Sequence, residues 1–431
     1  MEGAFSPALE NITIREDAED EEVRTMVGAL SSALEDITII DEEEDEEEQE
    51  YEDELEDESC KNNRRSNACE ELDASIWSNL PGDILERVLA HLPVACLARA
   101  RTVCKKLNQI ILSNNFLSAQ ADLAPPRRES WFAMFQTEEC SKFSAYDPDL
   151  NRWYEIPLSF LPCQVRGVAS AGGLLCCRGE MTPGLLALLV CNPMTKKCGV
   201  LPPMLRRRLV PVVSMQLFHH HFKVLVAGDD LHPDGRSVSD LTCEVFDSRT
   251  NRWTLSGSIP PNSELELGSA ICNGNLYLLT NSSSPSLCGV LSFNLQHGVW
   301  SKVQAPMPRN LTIPSLVECS GRLFMVGGVV KKIKMASVRV WELCERSMAW
   351  KEVARMKDRM FRELSDKKEL YFTAVGHGNL ICILIFQSTQ MLALDIRTRS
   401  WFWLPRYASA GGSESRTLLG YPFNPNLYTV V

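Results

Sequence analysis

A unit of about fifty residues recurs from Trp131 to the C-terminus, and no other feature of the sequence constrains the fold as strongly. In five of the six copies a run of apolar residues precedes an Asp or Asn, and a polar turn follows; the copy that ends at Trp350 has a turn about two residues longer. A Trp or its replacement stands six residues after that Asp or Asn. Well-formed copies are "FSAYDPDLNRW", "CEVFDSRTNRW", "LSFNLQHGVW" and "LALDIRTRSW", which end at Trp153, Trp253, Trp300 and Trp401. Degenerate copies end at Cys198 and Trp350, so the six ends stand about 45 to 55 residues apart.

The physical logic of this unit is a β-hairpin. The Asp or Asn side chain can cap the polar turn, and the Trp begins the next strand, where it can wedge between adjacent sheets. A second hairpin rich in Gly or Asn lies ahead of later turns, as in "AGGLLCC", "CNGNLYLL", "CSGRLFMVGG" and "GHGNLICIL". Four strands per unit predict a mainly β chain with a kelch-type β-propeller of about six blades.

The two ends of the array predict that the propeller closes on itself. The first copy has only "WFAMFQ" ahead of its turn, whereas the C-terminus carries unmatched strand-forming residues in "TLLGYPFNPNLYTVV". A C-terminal strand that completes the first blade accounts for both the missing and the extra strand, and it removes the exposed sheet edges. An open β-solenoid explains neither.

The residues before this array begin with an acidic segment. Residues 1–73 contain 28 acidic and 5 basic side chains, and their self-repulsion predicts a disordered acidic arm. The remaining residues carry 28 acids and 39 bases, so the arm is tethered to a basic body. Within the arm, "ALENITIRED" from Ala8 is repeated as "ALEDITIIDE" from Ala33, which is a tandem repeat at a 25-residue offset.

A short apolar segment separates the arm from the array. Pro81 stands at a first helical turn, where proline is tolerated, and Pro93 ends that helix. A second amphipathic pattern follows between Leu97 and Ile111. Two or three such short helices have a small core for an independent domain, so we expect the segment to need a partner chain.

The motif L-P-x-D-I-L-x-x-V-L-x-x-L-P, followed by "LARARTVCKK" and a closing "NNFL", resembles the F-box. An F-box followed by "WFAMF" and degenerate kelch units resembles the plant-type F-box/kelch-repeat family. This resemblance implies docking on a SKP-type adaptor and, through it, on a cullin and a RING subunit. Leu107 stands where the family usually has Trp, which keeps an apolar anchor but removes contact area. The implied adaptor-binding residues are Leu80, Pro81, Leu85, Val88, Leu89, Leu92, Pro93, Leu97, Val103, Cys104 and Leu107.

The sequence therefore predicts four segments: the acidic arm at residues 1–73, the F-box at 74–120, a linker at 121–130 and the propeller at 131–431. The resemblance implies a substrate-recognition subunit of an SCF-type (cullin–RING) ubiquitin ligase, whose propeller binds a protein target for ubiquitination. The alternatives are a kelch scaffold that acts outside ubiquitination and a propeller enzyme. The ligase hypothesis predicts a non-catalytic subunit in the cytoplasm or the nucleus.

The sequence contains few candidates for a catalytic or metal site. The 16 cysteines lack the C-x-x-C spacing of a zinc or redox site, and no apolar run reaches the roughly 20 residues of a membrane helix. In "HHH" at residues 219–221, only alternate side chains share a face of a strand. We predict no catalytic residue, metal or cofactor, and no membrane partner. The basic clusters "RRR" at 206–208 and "KKIK" at 331–334 lack the interleaved aromatic residues of nucleic-acid sites, so we expect solvated loops or a surface for an acidic protein.

The tandem repeat of the arm suggests a further hypothesis. Each copy places β-branched residues ahead of acids, which resembles SUMO-interacting motifs, where the apolar run adds a strand to the edge of the modifier's sheet. The residues concerned are Ile12, Ile14, Ile37, Ile39 and Ile40. The alternative is a solubilising tail without a specific partner.

Overall fold

The computed structural model describes residues 81–123, 130–136, 141–182, 185–208, 210–218, 221–231, 241–260, 264–281, 289–365, 370–388, 390–406 and 418–431. The chain divides into two compact units, Met1–Arg127 and Arg128–Val431. The predicted disorder of the arm, its tandem repeat, the isoleucines of the SUMO hypothesis and Leu80 lie outside the described residues.

Four helices lie in the described part of the first unit: α1 (Gly82–Ala90), α2 (Val94–Val103), α3 (Lys105–Ile111) and α4 (Asn114–Leu123). Pro81 and Pro93 stand directly before α1 and α2, where a missing N–H costs nothing. The second amphipathic pattern is divided in two because Cys104 is extended and its Sγ accepts a hydrogen bond from the Leu107 N–H (3.4 Å). The expectation of two or three helices missed this break, since Cys is not among the usual capping residues.

The described part of the second unit forms six four-stranded sheets, the blades. The first blade contains β1 (Trp131–Gln136), β2 (Lys142–Asp147) and β3 (Arg152–Pro157). The second contains β4 (Val165–Ala171), β5 (Leu174–Thr182), β6 (Leu185–Asn192) and β7 (Lys197–Val200). The third follows the short strand β8 (Arg207–Arg208) and contains β9 (Val212–Leu217), β10 (Phe222–Ala227), β12 (Thr242–Asp247) and β13 (Arg252–Ser258). The short strand β11 (Asp230–Leu231) pairs with β8.

The remaining blades continue the same order along the chain. The fourth blade contains β14 (Glu264–Cys272), β15 (Asn275–Asn281), β16 (Gly289–Asn294) and β17 (Val299–Lys302). The fifth contains β18 (Leu311–Cys319), β19 (Arg322–Lys331), β20 (Lys334–Cys344) and β21 (Ala349–Arg355). The sixth contains β22 (Phe372–His377), β23 (Leu380–Ile385), β24 (Met391–Asp395) and β25 (Ser400–Trp403). Helix α5 (Asp358–Ser365) joins the fifth blade to the sixth, and β26 (Leu418–Phe423) follows the sixth blade.

The C-terminal strand closes the ring, as the sequence predicts. β26 pairs antiparallel with β1 along its whole length, from Trp131↔Phe423 to Gln136↔Leu418, and becomes the first strand of the first blade. The first strand of each blade contacts the first strand of the next, and β26 contacts both β22 and β4. The array is therefore a closed six-bladed propeller and not an open solenoid.

Asp and Asn side chains cap the turns between third and fourth strands, which confirms the logic of the repeat. In the first blade, Asp147 Oδ1 accepts hydrogen bonds from the N–H groups of Asp149 (2.9 Å) and Leu150 (3.3 Å). The side chain therefore satisfies N–H groups that the strand ladder leaves free. The equivalent caps in other blades are Asn192, Asp247, Asn294 and Asp395.

Two of the repeat Trp residues join neighbouring blades by hydrogen bonds. The indole Nε1 of Trp153 in the first blade donates to the Pro405 carbonyl, which follows the sixth (3.1 Å). Trp253 in the third blade donates to the Pro202 carbonyl, which follows the second (2.7 Å). In the degenerate second copy Cys198 is exposed, so that position has no equivalent wedge. Clusters of buried apolar residues fill the spaces between neighbouring blades from the second to the sixth, and between the sixth and the first.

Candidate functional site: the F-box surface and the faces of the propeller

The helices of the first unit bury nearly half of the predicted adaptor-binding residues. Five of the eleven have exposed fractions of 6% or less: Leu85, Val88, Leu89, Leu92 and Leu97. Helix α1 contacts α3 and α4, and α2 contacts α3. The segment therefore has a small internal core of its own, and its need for a partner chain stays a prediction. The physical reason for this core is that helices of 7 to 10 residues are marginal alone, so their apolar stripes pack within the unit first.

Other predicted residues lie on the surface. Pro81, Val103 and Cys104 are exposed, with Val103 at 51%, and Pro93 and Leu107 are half-buried. Pro81, Pro93 and Cys104 directly precede α1, α2 and α3, whereas Val103 is the last residue of α2 and Leu107 lies in the first turn of α3.

Two exposed apolar residues of this unit were absent from the predicted set. Ile84 on α1 is 39% exposed, and Leu112 at the end of α3 is 40% exposed. Both stand beside buried neighbours in the same apolar runs, and helical periodicity alone does not separate them from the core. The order of packing among the four helices makes that separation.

The antiparallel strand order gives the propeller two different ends. The short-turn face carries the turns between first and second strands and between third and fourth strands, such as residues 172–173, 248–251 and 345–348. The long-loop face carries the loops between second and third strands and the connections between blades. Its described parts fall within residues 158–164, 201–211, 228–231, 259–260, 303–310, 331–334, 356–371, 386–390 and 404–406.

The long-loop face combines exposed apolar side chains with basic ones. Arg206, Arg309, Lys357 and the lysines between residues 331 and 334 are exposed there. The exposed large apolar residues at this end are Met181, Leu205, Val210, Ile333, Tyr371 and Phe386. A surface with apolar points among positive charges is typical of a protein-binding face.

The cluster "RRR" is only partly a solvated loop, which corrects the expectation from sequence. Arg208 Nη2 donates to Glu244 Oε1 (2.9 Å), and both side chains are 0% exposed. Glu244 also accepts hydrogen bonds from the N–H groups of Leu205 (2.7 Å) and Arg206 (2.9 Å). Arg208 thus fixes the connection between the second and third blades, while Arg206 and Arg207 stay exposed.

A cleft of about 430 Å³ lies on the short-turn face between the third and fourth blades. His221 of the "HHH" run lines it, and its ring stacks on Phe218 with ring centroids 4.7 Å apart. Lys223 lies over the same Phe218 ring at 5.6 Å, and Arg249 also lines the cleft. His219 and His220 lie outside the described residues. The one described residue of the run, His221, therefore lies directly before β10 and stacks on an aromatic ring.

Several perturbed titratable groups belong to the framework of the blades. Burial raises the pKa of Tyr146 to about 12, and burial also raises the pKa of the Cys382 thiol. A hydrogen bond from the Arg249 side chain lowers the pKa of the turn cap Asp247 to about 2. Among the described residues, no group of three or more His, Cys, Asp or Glu side chains is placed to hold a metal ion, and none of the described helices has the length and hydropathy to span a membrane.

Comparisons with known proteins match both units. The F-box domain family matches residues 77–119, and the KIB1-4 beta-propeller family matches residues 143–362, which is half of the chain. Relatives among known proteins are similar over most of their length. The protein UNUSUAL FLORAL ORGANS of Arabidopsis thaliana is 31% identical over 393 residues, covering 84% of this chain and 87% of its own. This chain belongs to the plant F-box/kelch-repeat family.

Two further relatives also match most of this chain. F-box only protein 6 of Arabidopsis thaliana is 30% identical over 78% of this chain and 70% of its own length. The F-box/kelch-repeat protein At3g61590 of the same plant is 28% identical over 82% of this chain and 90% of its own. An F-box implies binding to a SKP-type adaptor, so family membership supports a general role as an SCF substrate adaptor, a class that is typically non-catalytic.

Proposed function

We propose that this F-box/kelch-repeat protein is the substrate-recognition subunit of an SCF-type ubiquitin ligase in the cytoplasm or the nucleus. Its F-box docks on a SKP-type adaptor and, through it, on a cullin and a RING subunit, while the propeller binds a protein target. The chain does no covalent chemistry in this role. It contributes proximity, because holding a target beside the ubiquitin-loaded enzyme makes the transfer effectively intramolecular.

The observation that carries the proposal is the pairing of an F-box with a closed propeller in one chain. A kelch scaffold outside ubiquitination needs the propeller but has no use for the F-box. A propeller enzyme needs a reactive cluster, and the perturbed groups in the described residues serve turns and packing instead.

The adaptor contact that we propose follows the surface of the F-box. The exposed residues Pro81, Val103 and Cys104 and the half-buried Pro93 and Leu107 touch the adaptor directly. The five buried residues of the predicted set hold the helices that present them, and Leu80 remains a predicted contact. Leu107 offers less area than the Trp usual at its position, so the more exposed Val103 takes a larger share of the apolar contact.

The proposal is tested with adaptor capture by the full chain. The change is Pro81→Ala with Val103→Asp, which places a charge at an apolar contact without touching the core. An anchor of this kind contributes about 2 kcal/mol, so we expect a loss of affinity of about thirtyfold or more. The matched control is Val299→Asp, an apolar residue of similar exposure (58%) in the propeller, and it should bind the adaptor as the wild type does.

Thermal unfolding of the same proteins shows whether the F-box is intact. Full-strength adaptor binding by the double variant contradicts the proposed contact. Affinity capture followed by mass spectrometry separates the functions: adaptor and cullin in the eluate support the ligase subunit, whereas a propeller that captures neither supports the scaffold.

A further inference from the structure

The hairpin between β19 and β20 ends in an unfavourable turn on the long-loop face. Its two central residues are Lys332 and Ile333, with φ of 47° and 75°. Both angles lie in the left-handed region, which two-residue hairpins of this type require and which Asn-Gly provides most readily. A β-branched side chain there is a true outlier. Such conformations are often kept where the side chain has a function.

The side chains at this turn point away from the blade. Ile333 is 97% exposed, and Lys331, Lys332 and Lys334 are exposed beside it. No acidic residue lies between residues 329 and 336. We call residues 331–334 the blade-5 tip. It is an apolar side chain surrounded by three positive charges.

The blade-5 tip stands on a rigid base. Pairing with β18 ends at Leu311↔Val329 and pairing with β21 ends at Arg339↔Arg355, so the hairpin extends past both neighbouring strands. Val329 and Val338 are buried below it at 7% and 0%. Met335 packs on the core between the fifth and sixth blades. A docking point on a rigid support loses little conformational entropy when it binds.

A second exposed apolar point lies on the same face in the sixth blade. Tyr371 is 53% exposed and Phe386 is 42% exposed, and a hydrogen bond from the Phe386 N–H to the Tyr371 carbonyl (2.9 Å) holds their backbones together. The blade-5 tip and this aromatic pair are thus exposed apolar points on the long-loop face of two successive blades.

We propose that the blade-5 tip recognises an acidic segment of the protein target that also carries apolar residues. Ile333 enters the apolar part of that segment, and the three lysines face its carboxylates, which gives an apolar anchor with a charged rim. The inference rests on the proposed function, because it assumes that the propeller binds a protein target. It adds the place of contact and the chemistry of the target.

The composition of the tip favours a protein over nucleic acid or a membrane. Lysines alone bind phosphates without sequence preference, but a nearly fully exposed isoleucine gains nothing beside a phosphate backbone. A single apolar side chain also buries too little area for stable membrane binding, which takes an apolar helix face or lipid chains. An acidic segment that also carries apolar residues contacts both the isoleucine and the lysines of the tip.

The test replaces the tip by the turn that the backbone prefers. In the full chain bound to its adaptor, Lys332→Asn with Ile333→Gly removes the apolar anchor and one charge, and it relieves the left-handed strain. The matched control is Met348→Gly, which changes an exposed apolar residue with φ of 47° in a turn of the same blade on the short-turn face. The probe is a set of short fluorescent peptides in which the numbers of Glu and Leu vary independently, read by anisotropy.

We expect the wild type to prefer peptides with both Glu and Leu. The Asn-Gly variant should unfold at no lower temperature than the wild type and yet lose at least about tenfold in affinity, as expected for an anchor residue. The Met348→Gly control should bind as the wild type does. Lys331→Glu with Lys334→Glu should reverse the preference for acidic peptides.

Three results overturn the inference: unchanged affinity in the Asn-Gly variant, no binding of acidic peptides by the wild type, or tip-dependent binding of duplex DNA or phosphatidylserine vesicles in their place. Adaptor capture is measured on every variant. Retained capture with a failed peptide test refutes the tip alone, whereas failed capture by the wild type refutes the proposed function.

Discussion

Closure of the propeller by its last strand can be tested with one side chain. Phe423 is the last residue of β26, is 0% exposed, and stands opposite Trp131 in the β26–β1 register. Its ring meets the Phe143 ring edge-on, with centroids 5.8 Å apart. Phe423→Ala therefore empties a space between β26 and the rest of the first blade without removing any backbone hydrogen bond.

The expected cost follows from burial. A Phe→Ala change in a packed core lowers the free energy of unfolding by about 3–5 kcal/mol. For a domain of this size about 2 °C of melting temperature corresponds to 1 kcal/mol, so the propeller should unfold about 6–10 °C earlier. Val430→Ala is the control, because Val430 lies in the same C-terminal segment but is 71% exposed, and it should change stability by about 0.5 kcal/mol or less.

Calorimetry of the full chain measures both variants, and the heat absorbed by the propeller transition shows whether the ring unfolds as one unit. Deleting residues 421–431 is the severe form of the same change: it removes paired backbone from the first blade, exposes a sheet edge, and should cause aggregation or loss of the cooperative transition. The reasoning is refuted if Phe423→Ala melts with the control, or if the deleted chain stays soluble and unfolds normally.

Two other predictions concern the interior and the arm. Arg208→Met leaves the buried Glu244 carboxylate without its partner and should cost about 3–5 kcal/mol in urea unfolding, whereas Arg206→Met at the exposed neighbour should cost about 0.5 kcal/mol or less; equal costs would contradict the burial of the pair. A peptide of residues 33–50 should shift the NMR signals of SUMO weakly, and residues 1–73 should bind a SUMO chain more tightly through their two copies. Shifts that persist after alanine replaces Ile37, Ile39 and Ile40 of that peptide would leave only a solubilising tail.

The local chemistry of the repeat was readable from the sequence. Asp147 and its equivalents could be recognised as turn caps because an Asx side chain reaches N–H groups only two or three residues away. The wedge role of Trp153 and Trp253 also follows from the repeat, since a large aromatic at the same position of a blade faces the blade before it. The particular acceptors, such as the Pro405 carbonyl 252 residues away, could not be read from it.

The candidate sites were predictable in part. The F-box motif located the right segment, but its apolar residues include both core and surface positions. Only the packing of the helices distinguishes the buried Leu89 from the exposed Val103. In the cluster "RRR" the sequence does not reveal that Arg208 is structural, because its partner is the Glu244 carboxylate, 36 residues later in the chain. The blade-5 tip was seen as a basic run, and its left-handed Ile333 became visible only in the backbone.

The sequence by itself determined the class of each part: a helical F-box segment, a repeat of Asx-capped hairpins, and a C-terminal strand that completes the first blade. These are properties of periodicity, turn chemistry and strand count, which act over a few residues or over a constant spacing. The tertiary structure alone decided which apolar residues remain outside the F-box core, which arginine is buried, and which hairpin carries an apolar residue into solvent on the long-loop face. Those outcomes depend on contacts between segments far apart in the chain, because burial is set by what packs against a side chain and not by the side chain itself.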